Sequence, residues 1–206
     1  SIIYTEDTYE YVDLGLPSGL LWATKNVGAA RPEDYGYYFS WGETILKESY
    51  YWGTYSYCNG TENTLTKYCF SPEFGEVDNK YTLDETDDAA ITNWGKPWRL
   101  PTEAEAMELY SNCTWTLGNL NGISGCYVTG KNGNSIFLPK AGYKQYKTTF
   151  HKGQELYLLL STLYTNNEVR PDYGLLIYCD ENSYGLAGEE RSFGFSARAV
   201  TNINPI

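Results

Sequence analysis

The sequence predicts an α+β domain, and three observations carry the prediction. Strand-like runs lie early and late in the chain, two helical patterns occupy its middle, and no repeat, linker or low-complexity break divides it. At 206 residues there is material for one sizeable core. Residues 1–206 are therefore read as a single domain with two helices, small antiparallel sheets and long ordered loops.

Residues 11–27, YVDLGLPSGLLWATKNV, alternate around Pro17-Ser18-Gly19, which predicts two strands joined by a turn. Residues 35–43, YGYYFSWGE, read as a short aromatic strand, and residues 44–82 as loops rich in Tyr, Thr, Asn and Gly. Residues 84–93, DETDDAAITN, predict a short helix with acids in its first turn, where they favour the helix dipole. The segment NWGKPWRLPTEAEAMEL (93–109) is the most specific local signal. Thr102 and Glu105 have the spacing of a capping box ahead of good helix formers, with Met107 and Tyr110 on one face. Residues 127–138 predict a hairpin turning at Asn132-Gly133, and PKAGY (139–143) a further turn. Residues 156–164, 173–179 and 193–200 read as strands, the first two interior.

Composition narrows function. Lys+Arg 15 against Asp+Glu 26 gives a net charge of -11, which argues against nucleic acid and anionic membranes. Tyr 21, Trp 6 and Phe 7 make aromatics 17%, enough to place some rigid amphipathic rings at the surface. No long apolar run spans a membrane. No signal peptide opens the sequence, so a mature or truncated form of an exported protein is expected.

Five cysteines leave one unpaired in a monomer. Cys58 with Cys69, and Cys113 with Cys126, bracket polar loops and are candidate disulfides; five reduced, buried thiols is the competing reading. Cys179 lies in an apolar run and reads as a small core residue. Without a Cys-x-x-Cys pair, and with His151 the sole histidine, no metal and no cofactor is expected. The surroundings of His151, TTFHKGQE, carry no nucleophile motif.

Several segments together resemble the Fibrobacter succinogenes major paralogous domain family, a bacterial form of the C-type-lectin-like fold. They are VDLGLPSGLLWAT (12–24), YGYYFSWGE (35–43), the block over 67–90, NWGKPWRLPTEAE (93–105), VTGKNGNSIFLPKAGY (128–143) and FGFSARAV (193–200). The resemblance covers about residues 11–200. It implies an exported or lipid-anchored surface protein whose terminal strands are neighbours. The chain departs from that pattern at LLLSTLY (158–164), where relatives carry a Trp-Ser-Ser-like turn. The same broad fold hosts formylglycine-generating enzymes with a reactive cysteine pair. Cys179 is the sole cysteine after Cys126, so an enzyme of that type is disfavoured. Calcium-binding triplets of animal C-type lectins are absent from the sequence; Arg170-Pro171-Asp172 is a partial echo.

The remaining chemistry is a late concentration of rings and amides: Tyr164, Asn166, Asn167, Asp172, Tyr173, Tyr178, Asn182, Ser183 and Tyr184. Tyrosine gives contact area at low entropic cost, and Asn and Ser add adaptable hydrogen bonds. Retroelement-diversified receptors of related fold display similar residues. The sequence thus predicts a non-enzymatic cell-surface domain binding a protein or glycan through this face. A structural subunit of an adhesin or pilus-like assembly, with the same rings as packing, is the alternative.

Overall fold

The computed structural model describes residues 9–166 and 168–202. The fold is α+β, with eleven short strands and two helices among these residues. Strands β1 (Tyr11–Asp13) and β2 (Leu21–Ala23) pair antiparallel, and β2 also pairs with the last strand, β11 (Val200–Thr201). The two ends of the chain therefore meet in one three-stranded sheet.

Helix α1 runs Ala89–Trp94. Its start is later than the acid pattern predicts, because Glu85–Asp87 form a 3-10 turn and Asp88 is the N-cap, accepting from Ala90 N and Ile91 N. Helix α2 runs Glu103–Asn112 and opens on the predicted capping box, with Thr102 and Glu105 satisfying each other's backbone N–H groups. Ala106 and Leu109 form its buried face, whereas Met107 points outward. Arg99 then clamps Glu105 bidentately at 2.6 and 2.7 Å, fixing the approach to the helix.

A meander follows: β3 (Cys113–Leu120), β4 (Ile123–Gly130) and β5 (Ser135–Pro139). Its second turn is the predicted one, with Gly133 at φ 86°. The segment PKAGY, with Gly142 at φ 63°, leads into a small ribbon, β6 (Tyr143–Gln145) with β7 (Thr148–Phe150). Strands β8 (Leu156–Leu163), β9 (Tyr173–Cys179) and β10 (Tyr184–Glu190) form the central sheet in the order β10-β9-β8.

The alternation of β8 and β9 explains their unbroken apolar sequences. Leu156, Leu158, Leu160, Leu175, Ile177 and Cys179 face one core cluster, with Trp22, Leu109, Cys126 and Leu138. Tyr157, Leu159, Leu163 and Leu176 face a second, with Phe39, Trp41, Tyr68 and Phe195. A strand buried on both faces needs no polar side. Residues 35–43 are not a strand: Phe39 makes one bridge to Phe195, while Tyr38, Phe39 and Trp41 sink into the core as an ordered loop. Of the run 193–200, only Val200 enters a strand; the rest crosses the molecule through single bridges.

No helix among the described residues is long and apolar enough to cross a membrane.

Candidate functional site

Eight charged residues are buried among those described: Glu33, Glu43, Asp87, Asp88, Lys140, Asp172, Arg191 and Arg198. Seven are answered. Glu33 accepts from Asn121 Nδ2 at 2.9 Å, and Glu43 pairs with Lys47 at 2.8 Å. Asp87 takes Lys67 Nζ and the Tyr57 and Tyr68 hydroxyls, while Asp88 caps α1. Asp172 is held by the Arg170 fork at 2.7 and 2.9 Å. Arg198 donates to Asn26 Oδ1, Ala23 O and Phe137 O. Arg191 donates to the Tyr55 hydroxyl and to three backbone carbonyls.

Lys140 is the exception. It is 5% exposed and makes no side-chain hydrogen bond or ion pair among the described residues. Its Nζ is not among the buried polar atoms that lack a partner, so the stem is buried while the ammonium opens into a cavity. Its backbone is fixed by Ser124 O, which accepts from Lys140 N, and by Gly153 N, which donates to Lys140 O. The side chain lines a cavity of about 590 Å³.

Three segments build that cavity. Leu117, Gly118, Asn119 and Ser124 come from the β3–β4 hairpin, whose two-residue turn Asn121-Gly122 has φ 48° and 82°. Both positive values suit the type I′ turn that asparagine and glycine favour. Gly153, Gln154 and Glu155 come from the loop before β8, and Asp180, Glu181 and Asn182 from the β9–β10 turn. A smaller cavity of about 180 Å³ shares Leu117, Asp180, Glu181 and Asn182 with the first and adds Trp115, Cys126, Cys179, Ser183 and Tyr184.

The carboxylates of the first cavity are largely occupied. Asp180 accepts from the Tyr178 hydroxyl at 2.7 Å and from Asn182 N and Ser183 N, both at 2.7 Å. These bonds, the phenol first, hold its carboxyl down at about 2. Glu155 accepts from the Tyr157 hydroxyl at 2.9 Å and lies 2.5 Å from His151 Nδ1. The exposed imidazole is thus a partner of Glu155 in a turn with φ 54°.

An aromatic stack borders the smaller cavity. Tyr184 lies parallel to Trp115 at 5.1 Å between centroids, and Trp115 stacks on Tyr110 at 4.8 Å. Tyr110 and Tyr184 are themselves 5.9 Å apart, so the three rings form one cluster, of which Tyr184, 52% exposed, meets solvent. Trp115 Nε1 is buried with no acceptor, a condition that Trp22 shares inside the core.

The predicted binding residues do not form one face. Asn182 and Tyr184 reach the cavities, and Tyr178 acts beneath them by orienting Asp180. Tyr178 pairs with Gly185 and Tyr184 with Cys179 across β9–β10, so period-two alternation sends the two rings to opposite faces. Tyr164 is half-buried over Gly188, and Tyr173 is half-buried under the Arg170 guanidinium at 3.9 Å. Asp172, at 1% exposure, is a structural partner of Arg170. Asn166 is exposed away from the lining of either cavity, and Asn167 lies outside the described residues.

Neither predicted disulfide is formed; all five thiols are free. Cys113 pairs with Gly130 while Cys126 pairs with Leu117, four residues along β3. That offset is about 13 Å at strand rise, about twice the Cα separation a disulfide spans. Cys58 Sγ instead donates to Trp52 O, and Cys69 Sγ to Ser71 O. Cys179 is the buried core residue expected, and its neighbour is Cys126.

Sequence reasoning missed Lys140, Trp115 and the hairpin around Asn121-Gly122. That dipeptide between TWTLGNL and ISGCYV was a readable turn signal. Nothing local marks Lys140, because its isolation arises from packing between distant segments. The acidic run 84–88 is structural throughout: Asp84 pairs with Lys67 and Lys80, and Asp87 and Asp88 are occupied as above. Among the described residues no group of three or more His, Cys, Asp or Glu is placed to hold a metal ion. Comparison with protein-family models, curated proteins and solved structures gives no match for this chain.

Proposed function

We propose that this chain is a non-enzymatic ligand-binding domain of C-type-lectin-like architecture, exported or held at a bacterial surface, that binds a glycan at the paired cavities. The meeting of the first and last strands, the two short helices and the long ordered loops support the architecture, together with the segments that resemble the Fibrobacter succinogenes major paralogous domain.

The observation that carries the glycan reading is a Lys140 ammonium that opens, unpaired among the described residues, into one cavity while the Trp115 and Tyr184 rings line the adjoining one. A sugar presents an apolar C–H face and a rim of hydroxyls. The stack suits the face, while the Lys140 ammonium and the amides of Asn119, Gln154 and Asn182 suit the hydroxyls. A net charge of -11 and a cavity rim holding Glu155, Asp180 and Glu181 speak against a nucleic-acid ligand.

Purified protein on paired glycan and surface-protein arrays tests this. Binding to one or more glycans, weakened at least about tenfold by Trp115→Ala, is expected. Binding to proteins alone, unaffected by that change, would refute it.

The internal engagement of Tyr164, Tyr173 and Tyr178 favours a second reading, a structural subunit of a surface assembly in which most late rings serve as packing. That reading predicts no soluble ligand on either array.

A further inference from the structure

The two cysteines that sequence spacing leaves unpaired with each other are the two the fold brings together. Cys126 lies on β4 and Cys179 on β9, in separate sheets. Both belong to one core cluster, both are 1% exposed, and both line the same 180 Å³ cavity. Each thiol donates to a backbone carbonyl, Cys126 to Tyr127 O and Cys179 to Asp180 O, and the two lie close enough to influence each other's ionisation, as does the Lys140 charge. Cys58, Cys69 and Cys113 have no such neighbour among the described cysteines.

We infer that Cys126 and Cys179 are a disulfide-forming pair that ties the β3–β4–β5 meander to the central sheet directly behind the candidate ligand cavities. This inference does not rest on the glycan reading. The bond would close a long loop between two sheets, where a cross-link restricts the unfolded chain strongly.

The Lys140 charge favours ionisation of either thiol, and burial opposes it at both. With a low-molecular-weight disulfide such as oxidised glutathione as oxidant, the thiolate of one of the two cysteines attacks one glutathione sulfur. The glutathione S–S bond breaks and one glutathione thiolate leaves. The other cysteine, once deprotonated, attacks the protein sulfur of the mixed disulfide and expels the second glutathione. The protein loses two electrons and two protons; the oxidant gains both as two thiols.

The full chain, reduced and then held in glutathione buffers from reducing to oxidising, is quenched with iodoacetamide and mapped by peptide mass. A parallel sample is refolded from denaturant in the same buffers, since both thiols are buried. The expected result is a single linkage joining the Cys126 and Cys179 peptides in at least one of the two samples, with the other three cysteines alkylated. The oxidised protein should melt about 5–15 °C above the reduced one. In Cys126→Ala/Cys179→Ala that redox dependence should vanish. Alkylation of both residues in oxidising buffer by both routes, linkage through Cys58–Cys69 or Cys113–Cys126, or a redox-dependent melting shift that survives the double substitution would overturn the assignment.

Discussion

Around Arg191 every polar valence is closed, whereas around Lys140 several stand open. The Arg191 guanidinium donates to Tyr55 Oη, Tyr68 O, Pro171 O and Lys67 O, each at 2.9 Å, and lies 5.0 Å from the Trp41 ring. The neighbouring Asp87 is met by Lys67, Tyr57 and Tyr68. Both regions bury the stem of a cation, Arg191 among aromatic rings and Lys140 in the lining of a polar cavity. The difference lies in what is left over. A saturated network stabilises the loops it crosses, whereas an ammonium that opens into a cavity keeps its hydrogen bonds for what enters there.

This contrast can be broken most forcefully at Arg191. Arg191→Met should cost about 3–5 kcal/mol, because three buried carbonyls lose their donor. Urea denaturation measures it, and ligand binding by the folded fraction should be unchanged. A cost below about 1 kcal/mol would mean that the cluster is not the strut described.

Acid probes the same network at Asp87. Burial acts against its ionisation, and the bonds from Lys67, Tyr57 and Tyr68 outweigh it, so its carboxyl titrates below the usual range. A folded-state pKa below the unfolded one adds stability above the unfolded value. That stability is lost as pH falls through the folded one. Wild-type stability should therefore decline from about pH 5 downward. In Asp87→Asn that decline should be shallower, and stability near neutrality lower by about 2 kcal/mol. Equal pH slopes in the two proteins would detach Asp87 from the acid limb.

Two tyrosines sharpen the comparison with smaller effects. Tyr164 packs over Gly188 and beside Tyr173, so Tyr164→Ala should cost about 1–2 kcal/mol of stability with binding intact. Tyr184→Ala should do the reverse, weakening glycan binding about tenfold with little change in the urea midpoint. If the two variants exchanged these phenotypes, the faces assigned to the sheet would be wrong.

These residues also mark what was legible in the sequence. The capping box at Thr102 and Glu105, the Asn132-Gly133 turn and the interior strands over 156–164 and 173–179 were readable because each depends on local chemistry or short periodicity. The aromatic segment 35–43 misled, since rings that suit a strand also suit a loop folded into a core. Late tyrosines looked like one surface because composition carries no face. Pairing Gly185 with Tyr178 and Cys179 with Tyr184 separates them. Cysteine spacing failed for a related reason: proximity along the chain suggested Cys113 with Cys126, while two sheets packing together place Cys126 beside Cys179. Lys140 has no sequence signature, as its lack of partners is a property of the assembled core.

Lys140→Met tests the central claim most directly, because it separates stability from function in one variant. Removing a charge that opens into the cavity while keeping the volume of the side chain should leave the unfolding free energy in urea within about 0.5 kcal/mol of wild type. The same variant should bind the glycan found on the array at least about tenfold more weakly. A less stable Lys140→Met protein, or one that binds as well as wild type, would show that the ammonium already has its partner within the fold and that the cavity is not the site.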